Sequence, residues 1–299
     1  MTTTFIRRQN VLSLLIAATC TSGLWAECSD SGFCRLPLTK NPPSNAVRVG
    51  DVSQSRAVNT GLRASVAQGE QDESLTYTGL AALATWQPQS TTILAIEIPW
   101  VRASGDRGSA SGLGDILIAA NQQIVESRSG TWSASLGLRL PTGDDNALSG
   151  TGLAYQPGLG STDVILAGGW RHHDFDARVG YIAALGRNHT AGIELERGDD
   201  VAAAAGYTAH LAPLEVRGGL QVIHRLKNST ATDGLGGRTE IEDSAGTQVN
   251  FQLGAAWQAS ERWNVGLDVG IALMERQKNA AIDGLTRSRS VALQALFAW

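Results

Sequence analysis

The sequence predicts an all-β fold: a closed antiparallel transmembrane β-barrel of twelve strands, with short periplasmic turns and long extracellular loops. Three observations lead there. The chain is apolar yet lacks an apolar run, its apolar residues recur with period two, and its connections alternate in length. Of 299 residues, 42% are hydrophobic and 17% charged, the latter below the roughly 25% of soluble domains. Apolar content is ample and net charge small, which excludes intrinsic disorder. Beyond residue 26 there is no continuous apolar stretch of about 18 residues, the least a spanning helix needs. The formal charge of −4 argues against nucleic acid, which requires a basic surface.

Residues 1–26 read as a secretory signal peptide. Arg7 and Arg8 open it, residues 11–19 form its apolar stretch, and Leu24-Trp25-Ala26 offers a cleavage site. Residues 27–57 form a separate N-terminal segment without strand pattern, carrying Pro42-Pro43. It either plugs a lumen or hangs in the periplasm, and the sequence leaves both open. This segment also holds Cys28 and Cys34. An oxidising periplasm favours a short disulfide between them, and no histidine lies nearby to complete a metal site. The barrel is expected over residues 58–299.

From residue 58 the strand period takes over. In Val249, Phe251, Leu253, Ala255 and Trp257 it is unbroken, with Gln248, Asn250, Gln252, Gly254 and Gln258 near or between them. The pattern predicts strands over 58–68, 74–87, 90–103, 112–126, 130–142 and 161–171. Six more fall at 175–186, 199–212, 214–227, 245–258, 262–277 and 286–299. Most exceed the ~5–6 residues of globular strands and reach the ~9–11 that cross a bilayer at a tilt. The connections at 88–89, 127–129, 172–174, 213 and 259–261 are short; those at 104–111, 143–160, 187–198, 228–244 and 278–285 are long. Short periplasmic turns and long outer loops characterise outer-membrane barrels. Backbone amides in hydrocarbon have no partner but each other, so the sheet must close.

Aromatic placement agrees. Trp86, Trp132, Trp170, Phe175, Trp257, Trp263 and Trp299 all lie next to a short turn or the C-terminus, where a periplasmic interface ring would hold amphipathic rings between lipid and water. Trp100 falls near the opposite rim. Alternation then turns Arg63, Glu97, Asp115, Arg139, Asp163, Arg178, Glu215, Arg217, Arg225 and Asp268 toward the lumen. These either pair across the barrel to support its wall or line a pathway that selects a solute. The ending, Ser290-Val291-Ala292-Leu293-Gln294-Ala295-Leu296-Phe297-Ala298-Trp299, resembles the last strand of outer-membrane proteins, which implies the barrel-assembly machinery as a partner during biogenesis, with outer-membrane lipid around the wall.

Three glycine-rich signatures stand at the external rim: Gly112-Leu113-Gly114-Asp115, Leu140-Pro141-Thr142-Gly143-Asp144 and Pro157-Gly158-Leu159-Gly160-Ser161-Thr162-Asp163. Gly114, Gly143 and Gly160 let the chain turn where a bulkier residue could not. Asp115, Asp144 and Asp163 would cap those turns or hold a cation. From Gly112 to the C-terminus the order and spacing of these signatures resemble the family of the MetA-pathway of phenol degradation, whose members are described as channel-like barrels. The resemblance implies a bacterial outer-membrane, transporter-like barrel passing small hydrophobic or aromatic solutes.

No cofactor, metal or catalytic site is expected, so the chain reads as a non-enzyme. Its alternatives are a structural barrel whose loops 143–160 and 228–244 bind external partners, and an outer-membrane lipid hydrolase. A hydrolase needs a histidine beside a nucleophilic serine in the outer half. His172, His173 and His210 lie at inner turns and His189 in an outer loop, leaving His224 as the one suitably placed. No serine pairs with it by spacing.

Overall fold

Alternating side chains commit each segment to a pleated strand with one apolar face, and the strands find partners in sequence order. In the structure, a computed structural model, residues 57–69, 74–276 and 287–299 are described. The signal peptide, nearly all of the 27–57 segment, and both Cys28 and Cys34 lie outside the described residues. The wall begins with β1 (Ala57–Gln68), β2 (Thr76–Gln89) and β3 (Thr92–Gly105). It continues through β4 (Gly108–Leu113), β5 (Ile116–Ser127), β6 (Gly130–Leu140), β7 (Thr162–His172) and β8 (Phe175–Leu185). Beyond the loop strands β9 (Asn188–Thr190) and β10 (Ile193–Glu196) come β11 (Asp200–Leu211) and β12 (Leu214–Arg225). Two further loop strands, β13 (Thr230–Thr232) and β14 (Arg238–Glu240), precede β15 (Gly246–Gln258), β16 (Trp263–Met274) and β17 (Arg289–Ala298).

Neighbours pair antiparallel around the whole circuit, and the ring closes where β1 meets β17, from Asn59 opposite Ala298 to Gln68 opposite Arg289. β4 and β5 share one position in the wall, so the barrel has twelve strands. No sheet edge is left in the bilayer, as a medium without hydrogen-bonding partners demands.

Two local expectations are corrected. The predicted long connection at 104–111 is a tight turn, Asp106-Arg107, joining β3 to β4 in register from Trp100–Leu113 to Gly105–Gly108. Polar residues such as Ser104, Ser109 and Ser111 had signalled a loop, but they extend the hairpin beyond the apolar belt, where strands need no apolar face. The predicted fourth strand, 112–126, is interrupted at Gly114-Asp115. There Gly114 N donates to Pro99 O at 2.8 Å, so the chain keeps contact with β3 while leaving the ladder.

Outside, the wall is greasy. Leu62, Leu80, Leu136, Leu166, Val179, Leu220, Leu253 and Leu293 all project outward and exposed. Near the short turns stand Trp86, Trp132, Phe175, Trp263 and Trp299, also exposed, with half-buried Trp170 and Trp257. Neighbouring rings touch: Trp132 and Trp170 lie 6.4 Å apart, and Trp263 and Phe297 5.1 Å. This apolar belt surrounds a closed cylinder, and the protein is an outer-membrane barrel. Val179, 57% exposed at mid-strand, faces lipid; Val179→Arg is expected to destabilise the barrel by about 2–4 kcal/mol, measured by urea unfolding in lipid vesicles.

Candidate functional site

The site is the lumen together with the loop that enters it. Period-two alternation on twelve strands projects one residue set into a narrow cylinder, so opposing side chains meet instead of lining open water. Of the ten residues expected to face inward, eight are buried, while Glu215 and Arg217 are half-buried. Arg63 on β1 pairs with Glu97 on β3, beyond the intervening β2. Arg217 on β12 reaches past β11 to Asp176 on β8. Arg225 holds Asp200 through its Nε at 2.9 Å, with both side chains essentially free of solvent. Arg139 pairs with Asp163, which also receives Arg197 at 3.3 Å. Glu215 lies at the periplasmic mouth against His210 Nδ1, at 3.1 Å. Arg178 and Asp268 are buried on the inward faces of β8 and β16.

Several members were missed. Asp176, Asp200, Gln221, Gln248, Asn250, Gln252 and Gln294 are all buried, and all stand on inward parity positions, so the alternation already contained them. Arg197 gave no such signal, because it sits in an outer connection without a period. The uncharged amides join one another: Gln248 Nε2 donates to Asn250 Oδ1 at 2.9 Å, and Gln252 Nε2 to Gln221 Oε1 at 3.1 Å.

The lumen is not polar throughout, as the alternation alone suggested. Leu117, Ala119, Ile165, Ile182, Ala202, Ala204 and Ile223 form one buried apolar cluster across β5, β7, β8, β11 and β12. In a cylinder this narrow, inward side chains bury against each other and apolar ones gain what any core residue gains, about 25 cal/mol per Å² removed from water. The apolar residues therefore form a band on the wall from β5 to β12, with Arg139, Asp163, Arg178, Asp200 and Arg225 above and below it, and the wall from β12 to β17 is rich in neutral amides.

The 143–160 connection does not project outward. Residues 151–158 are buried, folded into the mouth through a single 3-10 turn, Leu153–Tyr155. Ala154 and Tyr155 pack against Ala67, Leu75, Tyr77 and Ala103 at the outer ends of β1, β2 and β3, and the Tyr77 hydroxyl donates to Ala154 O. Gln156 braces the loop internally, accepting from Leu148 N at 3.0 Å and donating back to Leu148 O at 3.0 Å.

All three glycine-rich signatures meet at this loop's root. Asp115, buried at the strand break, accepts Gly143 N at 3.1 Å through one oxygen and Leu159 N at 2.8 Å through the other. A single carboxylate thus ties together the two ends of the loop, the capping role expected for it. Thr142 Oγ1 donates to Gly114 O at 2.9 Å and accepts Ile116 N at 3.0 Å, repairing the ladder beside the break. Gly143 and Gly158 touch backbone to backbone; a Cβ on either would stand 2.4–2.6 Å from the other's main chain. Gly158→Val must therefore part the two ends, and overpacking of this kind costs about 1–3 kcal/mol; the temperature of heat-induced mobility shift on a gel is expected to fall.

A second layer covers the first. The 187–198 and 228–244 connections pair as a four-stranded sheet, β14-β13-β10-β9, laced by Arg187–Glu194 and Arg238–Glu196, both at 3.0 Å. It rests on the folded-in loop: Thr190 Oγ1 donates to Thr151 O at 3.1 Å, and His189 N to Asp145 Oδ2 at 2.7 Å. His224 faces outward, its Nδ1 2.9 Å from Thr247 Oγ1. Among the described residues no group of three His, Cys, Asp or Glu could hold a metal ion.

Comparison with known proteins bears on this geometry. The family model "Putative MetA-pathway of phenol degradation" matches residues 46–284, a span that includes all three signatures and the loop they anchor. The chain belongs to this family. The COG4313 outer membrane channel from Pseudomonas putida F1 superposes with a TM-score of 0.64 at 17% identity, covering 87% of this chain and 100% of its own. The NanC porin aligns at a TM-score of 0.49 and 9% identity, over 80% of this chain and 98% of that one. No curated protein matches the chain. Within the phenol-degradation family fold, then, the described barrel carries inward polar pairs, one inward apolar cluster and a 143–160 loop folded against the outer ends of its first strands.

Proposed function

We propose that this barrel is a passive outer-membrane channel for small hydrophobic or aromatic solutes, closed at rest by the 143–160 loop. The observation that carries the reading is the pairing of an apolar interior wall, Leu117–Ile165–Ile182–Ile223, with a buried loop held by a few discrete hydrogen bonds. Such a wall offers an apolar solute a surface without desolvation cost, while the amides of β12 and β15 accept a hydroxyl or carbonyl on its other side. The loop is a removable stopper, because its contacts concentrate at Asp115, Tyr77 and the Tyr155 patch. Withdrawal would expose the lumen without breaking any barrel ladder. The reaction is transport alone, and it needs no group that titrates or reacts.

Purified protein in planar bilayers, with parallel liposome uptake of benzyl alcohol and of glucose, tests the proposal. Discrete conductance steps and faster entry of the aromatic alcohol are expected. A barrel silent in both assays, with the loop present and with it excised, would refute transport.

A further inference from the structure

We propose that the outer rim of the wall segment β17-β1-β2-β3 binds the phosphorylated headgroup of an outer-leaflet lipid. Inward faces hold the arginines of the described barrel strands, from Arg63 to Arg225, with two exceptions. Arg102 on β3 and Arg289 on β17 point outward and are exposed. Each stands one outward position above the last outward apolar residue of its own strand, Trp100 on β3 and Val291 on β17, and the strands between end likewise at Leu80 and Val66. Register connects them. Arg289 is opposite Gln68 on β1, Gln68 opposite Thr76 on β2, and Arg102 opposite Thr78 on the same β2.

Three strand spacings and a two-residue offset separate the two arginines, about 16 Å, a span that two long flexible side chains can close onto one group between them. The outward residues beneath that group are Gln68, Thr76 and Thr78, which supply an amide and two hydroxyls. No carboxylate stands on the outward faces of these four strands among the described residues. Neither arginine has an ion pair among those residues. Elsewhere around the rim the outward Leu140, Thr162, Leu185 and Thr247 are uncharged, and the outward Asp199 is held by the Tyr181 hydroxyl and Ala184 N.

An arginine at the edge of hydrocarbon is costly unless it meets an anion at headgroup level, and a lipid phosphate is the anion that occupies that level. Guanidinium groups match phosphate oxygens in pairs. The occupant is therefore a lipid headgroup, held from the side by the wall, and its binding is independent of whether the lumen conducts.

The test uses purified full-length barrel in detergent, titrated with bisphosphorylated lipid A or its monophosphoryl form and read by native mass spectrometry. Tighter retention of the bisphosphorylated lipid is expected. Arg102→Gln and Arg289→Gln should each weaken it about fivefold, with the charge-preserving Arg102→Lys falling between Arg102→Gln and the parent, since it keeps the charge and loses the paired geometry. Unchanged gel mobility of the folded variants separates lost binding from lost fold. Equal retention of both lipids, unchanged retention by the double glutamine variant, or displacement by equimolar inorganic phosphate would each overturn the proposal.

Discussion

Excising residues 145–156, with a short glycine-serine bridge across Asp144 and Pro157, is expected to raise single-channel conductance at least about tenfold. Tyr155 and Leu153 are fully buried inside the mouth, so their removal empties the constriction outright instead of shifting an equilibrium. The wall itself should survive, since every ladder from β1 to β17 is formed without this segment. A milder lesion tests the hinge. Asp115→Ala leaves the loop intact but deletes two hydrogen bonds to a charged acceptor, worth about 1.5–3 kcal/mol each. A loss of that size moves a closed-to-open ratio by roughly tenfold or more, so bursts of opening should appear in recordings of this variant. Identical traces for parent, excised and Asp115→Ala proteins would show that the stopper lies elsewhere.

Arg225→Met is expected to be the most destabilising single change in the lumen. Arg225 and Asp200 are both buried to within 1% of full enclosure, and removing the cation strands a carboxylate without its counter-ion. Breaking such a pair costs about 3–5 kcal/mol. Replacing both partners, Arg225→Met with Asp200→Leu, restores most of that loss, because an apolar pair needs no compensation in this interior. Urea unfolding of the single and double variants in lipid vesicles measures the difference. A double variant no more stable than the single one would mean that the pair holds the wall by geometry and not by charge.

Other lumen pairs should behave less sharply. Asp163 keeps Arg197 when Arg139 is lost, and Glu215 stands half-open to water beside His210. Their positions explain why ten charged inward residues do not form one uniform ladder. The groups stand at different levels instead: Glu215 and the Arg217–Asp176 pair near the short turns, Arg63–Glu97 at mid-strand, and Arg139–Asp163–Arg197 and Arg225–Asp200 at the outer strand ends, close to the clamp at Asp115.

Much of this was legible in the chain. Parity at Arg63, Glu97, Arg217 and Asp268 assigned them inward, and the same rule would have found Asp176, Asp200 and Gln221 had every inward polar residue been followed. Trp132, Trp170 and Trp263 marked the inner interface through their closeness to short turns. The limits are equally specific. Ser104 to Ser111 looked like a loop because a hairpin standing clear of lipid has no apolar face to display. Ile165 and Ile182 looked like ordinary strand residues, since alternation tells which way a side chain points but not what it meets there. Glycines 143 and 158 advertised a turn without revealing that they touch.

Alternation along the strands and the spacing of their turns determined the closed wall, its two faces and its membrane address, because a bilayer admits no other use of twelve such segments. Where the 143–160 loop goes was decided in three dimensions. Its residues carry no period, and their burial depends on Tyr77 on β2 and Ala103 on β3, strands two or three places round the wall from β6. The same holds for Arg197 and for the joint between Asp115, Gly143 and Leu159: contacts between segments distant along the chain exist once the cylinder has formed, and local pattern has no means of encoding them one residue at a time.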